Sequence, residues 1–160
     1  MTIPIRRRRR AVLAIAVAAA LTVTACGSSK KNGGNNATGD KSAPGVTSDS
    51  ILLGTTQPLT GPAAPGYSKI SAAMKAYFAF VNDKGGVNGR KITLNVEDDG
   101  YNPANTATKT RKLVLQDKVF ALVGALGTPT HTAVLDFVNQ NKVPDLFVSS
   151  GSRSWNQPSK

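Results

Sequence analysis

Two threonines flank a proline in Thr128-Pro129-Thr130, directly after the run Gly124-Ala125-Leu126-Gly127. The position looks like the start of a helix. A helix's first turn leaves backbone N–H groups without partners and carries partial positive charge, so an anion is favoured there. Threonine hydroxyls at that point would add hydrogen bonds to a carboxylate. The same residues fit a plainer role, in which Thr128 only caps its own helix and Pro129 takes the first helical position. A second group, Ser150, Gly151, Ser152 and Arg153, offers small residues and hydroxyls one strand further on. It reads either as a neighbouring binding loop or as a solvated turn.

Other chemistry-bearing residues assemble into less. Asp98 and Asp99 are adjacent, so on a strand end their side chains point to opposite sides. They serve better as turn and cap formers than as a metal pair. His131 is the lone histidine, with no cysteine or carboxylate at catalytic spacing. Without a base and an orienting group no nucleophile can be assigned, so the sequence carries no catalytic residues. Gly85-Gly86-Val87-Asn88-Gly89 is glycine-rich but lies between a helix and a strand, the wrong end of a sheet for cradling phosphate. Neither a Rossmann fingerprint nor a Walker lysine follows any strand, and no metal or other cofactor is implied.

The elements that must position these residues alternate in type. Ile51–Thr56 is an apolar strand. A helix from about Tyr67 to Asp83 places Ile70, Met74, Tyr77, Phe78 and Val81 on one face. Gly85-Gly86 ends it, and Lys91–Glu97 forms the second strand. Asn102 caps a helix with Pro103 at its first position, turning Ala107, Thr110 and Val114 inward and ending near Gln116. Val119–Val123 is a continuous apolar strand, as parallel sheets covered on both faces require. The helix after Thr128 buries Ala133, Val134, Phe137 and Val138, and Leu146–Val148 is the fourth strand, with no further helix after it. Strand and helix alternating in this way predict an α/β fold with a doubly wound parallel sheet. Ligands of such sheets bind at the carboxyl ends of the strands, at the switch point. An edge strand with no covering helix suggests that these 160 residues are the front end of a longer protein, marginally stable alone.

Cys26 is the chain's single cysteine, so no disulfide framework exists in it. Five arginines, Arg6 to Arg10, precede an apolar and threonine stretch from Ala11 to Ala25, and a Gly/Ser/Asn tract follows. That pattern is a secretory signal peptide, 1–25, too short to span a bilayer, which needs roughly 20 apolar residues. Val23-Thr24-Ala25-Cys26 resembles the bacterial lipobox, which implies lipidation of Cys26 and a membrane anchor. A buried core cysteine is the alternative, poorly suited to a site beside a polar tract. Residues 26–50 read as a flexible linker of about 25–30 Å r.m.s. length. The net charge of +11 falls to +6 without the arginine block, 15 basic against 9 acidic residues. The rest are dispersed, with no basic stripe, which argues against nucleic-acid binding.

The run Ile51-Leu52-Leu53-Gly54, then Pro58-Leu59-Thr60-Gly61-Pro62, Tyr77-Phe78, Val81-Asn82 and Gly85-Gly86-Val87-Asn88-Gly89-Arg90 resembles the opening of the Leu/Ile/Val-binding-protein family. These are type I periplasmic or extracytoplasmic solute-binding proteins of ABC importers. Asp98-Asp99, Asn102-Pro103, Val123-Gly124 and Thr128 continue the match in order over nearly all of 50–160. The resemblance implies two hinged α/β lobes, of which 51–160 would be the N-terminal part of the first. It implies that Thr128, Thr130, Gly151, Ser152 and Arg153 hold a ligand carboxylate, and that Ala64 and Pro65 lie against the ligand side chain. Gly-Thr-Pro-Thr stands where amino-acid binders carry a serine-rich loop, as in members thought to take aromatic acids or amides. The implied partners are a small-molecule solute and ABC permease subunits. A ligand-sensing receptor of the same fold is the alternative, and a secreted enzyme the third reading. Replacing the lipid-accepting thiol tests the anchor. Cys26→Ser should leave the protein unprocessed or released from membranes on fractionation, with ligand binding retained; membrane retention in processed form would contradict lipidation.

Overall fold

The computed structural model describes residues 43–155. The expected signal peptide, Cys26 and most of the expected linker lie outside the described residues. Four strands form one parallel sheet in the order β2-β1-β3-β4: β1 Ser50–Gln57, β2 Lys91–Asp98, β3 Ala121–Val123 and β4 Asp145–Leu146. Helices α1 (Ala64–Tyr67) and α2 (Ile70–Asp83) connect β1 to β2. Helix α3 (Pro103–Arg111) and a π turn (Lys112–Gln116) connect β2 to β3. Helices α4 (Thr128–Thr132) and α5 (Leu135–Gln140) lead to β4, and a short 3₁₀ turn covers Arg153–Trp155. The chain steps outward from β1 to β2 and then crosses over β1 to β3. With right-handed crossovers, α2 falls on one face of the sheet and α3, α4 and α5 on the other. The doubly wound α/β sheet expected from the sequence is present.

The core lies on the α3–α5 face. Leu113, Val119, Leu122, Val134 and Val138 pack together, with Leu52, Ala107, Phe137 and Val143 around them. Leu113 is completely buried, and it rests on the backbone of Gly54, where any Cβ would meet its methyls at 3.2 Å. The π turn makes this possible. Its Lys112 carbonyl accepts from Asp117 N–H five residues on, at 3.0 Å, and the widened turn directs both Leu113 and Val114 inward. Regular helical spacing nominated Val114 alone.

Several boundaries differ from the sequence expectation, each for a local reason. The first helix divides around Ser68 and Lys69, because Pro65, Gly66 and Ser68 form a separate turn of low helix propensity. Tyr77, expected inside, is exposed, as is Phe80. Gly127, not Thr128, occupies the N-cap of α4, which puts Thr128 inside the helix. That helix stops after one turn. Thr132 Oγ1 donates back to the Thr128 carbonyl at 2.8 Å, a competition with the backbone that disfavours continuation. Ala133 falls at the break and is exposed, not buried as expected. β3 is shorter than expected, and β4 ends at Leu146 because Phe147 turns to φ 57° and leaves its ring exposed.

The folded unit also starts earlier than residue 51. Leu52 N–H donates to the Gly45 carbonyl at 2.7 Å, and Arg90 Nε to that of Thr47 at 2.8 Å. Gly45 has φ 71° and lies so close to Phe120 that no side chain fits. The end of the polar tract is therefore held against the sheet by backbone bonds that composition does not reveal. Because Leu113 is the fully buried contact between sheet and helices, Leu113→Ala should cost about 2–5 kcal/mol, read as a lower urea midpoint. A loss under about 1 kcal/mol would mean the core is centred elsewhere.

Candidate functional site

The carboxyl ends of β1 and β3 flank the place where the strand order reverses. The buried Gln57 side chain spans it: its Nε2 donates to the Gly124 carbonyl at 2.6 Å and to Thr55 Oγ1 at 3.0 Å. The loops above are fixed by carboxylates. Asp98 accepts from Leu59 N–H (3.0 Å), Thr60 N–H (3.2 Å), Thr60 Oγ1 (2.6 Å) and Gly100 N–H (3.0 Å), joining the loops after β1 and β2. The Thr60 hydroxyl, with the Gly100, Thr60 and Leu59 amides behind it, holds the Asp98 carboxyl below its ordinary value against a smaller opposing effect of desolvation. Asp99 is buried, accepting from Tyr101 N–H (2.9 Å) and Thr106 Oγ1 (2.8 Å). The aspartates are turn and cap formers, as the sequence suggested.

The loops after β3 and β4 run together. Gly127 N–H donates to the Ser149 carbonyl at 3.0 Å, and Ser149 N–H to that of Ala125 at 2.8 Å. This brings Thr128 Oγ1 within 2.7 Å of Ser150 Oγ. Gly127 takes the N-cap of that helix and the Thr128 hydroxyl pairs with Ser150 across the loops, so Thr128 is not the cap. The hydroxyl pair lies in a cleft of about 360 Å³ lined by Tyr67, Tyr101, Leu126, Gly127, Thr128, Ser149, Ser150 and Gly151.

The nominated residues divide. Thr128 and Gly151 line the cleft. Thr130 is buried, its hydroxyl donating to the carbonyls of Leu126 and Gly127, so it shapes the turn from behind. Ser152 and Arg153 stand beside the lining; Ser152 N–H donates to Ser150 Oγ at 3.1 Å, and Arg153 is exposed. Ala64 and Pro65 belong to α1, and it is Tyr67 of that helix that reaches the cleft. Sequence reasoning passed over Tyr67 and Tyr101 as lining residues. The signal for Tyr101 was the Gly100-Tyr101 pair after a strand end, where a tight turn can throw a ring sideways.

His131 does have a carboxylate partner. Its Nε2 lies 2.9 Å from Asp145 Oδ2, and the Trp155 ring meets it edge-on with centroids 4.6 Å apart. The pair was invisible because Asp145 arrives on another strand. It links α4, which carries Thr128, to β4, which leads to Ser150.

These elements gather hydroxyls and two phenol rings at the switch point of an α/β sheet, the place where such sheets bind ligands. The chain belongs to the periplasmic binding protein family, whose family model matches residues 50–159. A curated relative, Leu/Ile/Val-binding protein homolog 2 of Brucella abortus (strain 2308), is 31% identical over 108 residues, 68% of this chain and 28% of the relative. The fatty acid ABC transporter substrate-binding protein from Thermomonospora curvata has a similar structure, with TM-score 0.59 and 34% identity over 70% of this chain and 28% of that one. A solute binding protein of an ABC transporter from Rhodopseudomonas palustris BisB5, in complex with 3,4-dihydroxy benzoic acid, gives TM-score 0.56 and 31% identity over 65% and 28%. The chain thus spans under a third of the length of each.

Asp98's lowered carboxyl sets a pH dependence. Its contribution is whole above the ordinary aspartate value of about 4 and is lost as pH falls through the lower folded-state value. Asp98→Asn should therefore lower the urea midpoint at pH 7, and the two proteins should converge as pH drops below about 4. A constant difference down to pH 2 would contradict the assignment.

Proposed function

We propose that this chain supplies the ligand-facing part of one lobe of an extracytoplasmic solute receptor. The receptor captures a small carboxylate-bearing solute and delivers it to the permease of an ABC importer. The observation that carries the reading is the Thr128–Ser150 hydroxyl pair at 2.7 Å, set in a cleft at the switch point of the sheet. Two hydroxyls hold two protons; their mutual bond uses one and leaves the other to donate to an anion. Thr128 and Thr130 lie in the first turn of α4. Thr130 holds that turn from behind, while Gly151, Ser152 and Arg153 form the rim on the β4 side, with Arg153 adding positive charge. Ala64 and Pro65 carry Tyr67 to the opposite rim.

The relatives support this chemistry by what their names share. Leucine, isoleucine, valine, fatty acids and 3,4-dihydroxybenzoic acid all bear a carboxylate. Ligand bound here favours a state in which a second lobe closes over the cleft, and the permease reads that shift in population. Lipidation at Cys26 and the polar tract after it would keep the receptor beside its transporter at the outer membrane face.

Calorimetric titration of the full-length protein with leucine, a fatty acid and 3,4-dihydroxybenzoate tests the reading. At least one carboxylate should bind, and Thr128→Val should weaken it by about 1–3 kcal/mol because Ser150 and the anion both lose a partner. Equal affinity in the variant would remove the hydroxyl pair from the site, and hydrolysis of an ester or amide without carboxylate binding would overturn the receptor reading.

A further inference from the structure

We infer that the amino-end edge of the sheet is a docking face for the anionic surface of the bilayer to which the chain is tethered. The inference rests on the lipidation reading of Cys26 and concerns the opposite end of the strands from the cleft. All four strands are parallel, so the residues that lead into them share one edge. Across that edge, in sheet order, stand Arg90 and Lys91 at β2, Asp49 at β1, Lys118 at β3 and Lys142 at β4. Lys84 closes α2, whose C-terminus returns to the same edge. These cations are scattered in the sequence, and the fold gathers them. None of them is in an ion pair with a described carboxylate. Of the carboxylates nearby, Asp117 is taken by Lys112 at 2.8 Å, Asp49 accepts from Thr47 Oγ1 at 2.6 Å, and Asp83 is exposed. The edge is cationic on balance.

The surface between the cations is apolar and includes the point where the tether joins the fold. A groove of about 370 Å³ has Ala43, Pro44, Leu115, Lys118, Lys142 and Pro144 in its lining. Leu115 is exposed there, and so is Val87 in the turn before Arg90. Lysines beside exposed apolar tips suit a phospholipid surface, with ammonium groups at the phosphates and the tips among the upper acyl atoms. The backbone bonds of Gly45 and Thr47 fix the tether's exit at this edge. Residues 27–42 separate Ala43 from Cys26, a reach of about 20–24 Å r.m.s. for a polar chain of that length. The eight residues of β1 alone span about 26 Å. The tether therefore holds this edge near the bilayer at high effective concentration, so a weak attraction is enough to seat it. Each lysine or arginine near an anionic surface adds a small increment, and the sum stays reversible. Seated so, the cleft opens to the medium to collect solute, and the receptor can leave the surface to meet its permease.

The test uses the full-length acylated protein in vesicles of phosphatidylcholine, alone or mixed with phosphatidylglycerol. Cys26 is the only cysteine and carries the acyl chains, so one added cysteine takes a fluorophore at a single place. Gln116→Cys reports the amino-end edge and Gly66→Cys the cleft end, each read by quenching from brominated lipid. With phosphatidylglycerol present the label at 116 should be quenched and the label at 66 should not, and high salt should reverse the quenching. Lys118→Asn combined with Lys142→Asn should lower the docking constant about 10–30-fold, the weight of two lysines at an anionic surface. Asparagine accepts the left-handed backbone that both lysines adopt, φ 55° and 54°, and thermal melts report folding. Lys84→Gln with Lys91→Gln, on the other half of the edge, should act in the same direction. The same signal at 116 in both vesicle types, no change in either pair variant, or quenching at 66 instead overturns the docking face and leaves the anchor standing. Absence of acyl chains on Cys26 by mass spectrometry overturns the anchor reading and the docking with it.

Discussion

The Gln57 side chain closes the gap at which the sheet changes direction. Next to it the crossover from β2 passes to β3, and the Gln57 amide adds a side-chain bond beyond the last paired residues of β1 and β3. Its amide reaches the Gly124 carbonyl at 2.6 Å from a fully buried position. A buried donor without its acceptor is costly, so this contact is maintained wherever the sheet is intact. Everything at the cleft is built from that fixed edge. Gly124 begins the segment that carries Gly127 and the hydroxyl of Thr128, while Gln57 begins the loop that Asp98 clamps. The fold thus sets the cleft by backbone geometry first and by side chains second.

The clamps on either side of this edge are charged, yet they serve geometry more than charge. Asp98 and Asp99 satisfy backbone N–H groups of tight turns, where a carboxylate acceptor is stronger than a neutral one. The ion pairs of Glu97 with Lys109 and Lys112, at 3.0 and 2.8 Å, tie β2 to α3 and to the π turn after it but sit at partly exposed side chains. Such pairs contribute little stability each. Arg6 to Arg10 supply five of the 20 basic residues, and the cleft has no cationic side chain in its lining.

How much of this was legible depended on the range of the contacts involved. The strand and helix order was legible because parallel strands such as 119–123 are apolar throughout and because Asn102-Pro103 and Gly85-Gly86 mark ends by local chemistry. Thr128 could be nominated from its place after the third strand, and it lines the cleft. Thr130 was not separable from it, since which of two hydroxyls turns inward depends on the N-cap falling at Gly127. Ser150 could be placed in the right loop, though its 2.7 Å contact with Thr128 depends on Leu126 and Ser149 pairing across two loops. His131 looked isolated because Asp145 is brought to it by β4. Tyr101 stayed hidden because its ring direction follows from a left-handed backbone that sequence patterns rarely reveal. Contacts closed within a few residues were readable, and contacts closed by the sheet were not.

In the proposed receptor the paired hydroxyls across the β3 and β4 loops hold a ligand carboxylate. A crystal structure of the full-length protein with a bound carboxylate tests it directly. One carboxylate oxygen should lie within about 3 Å of Thr128 Oγ1 or Ser150 Oγ, in the cleft edged by Tyr67 and Tyr101. A ligand whose carboxylate is bound elsewhere, with the Thr128–Ser150 pair facing only solvent, would contradict the account.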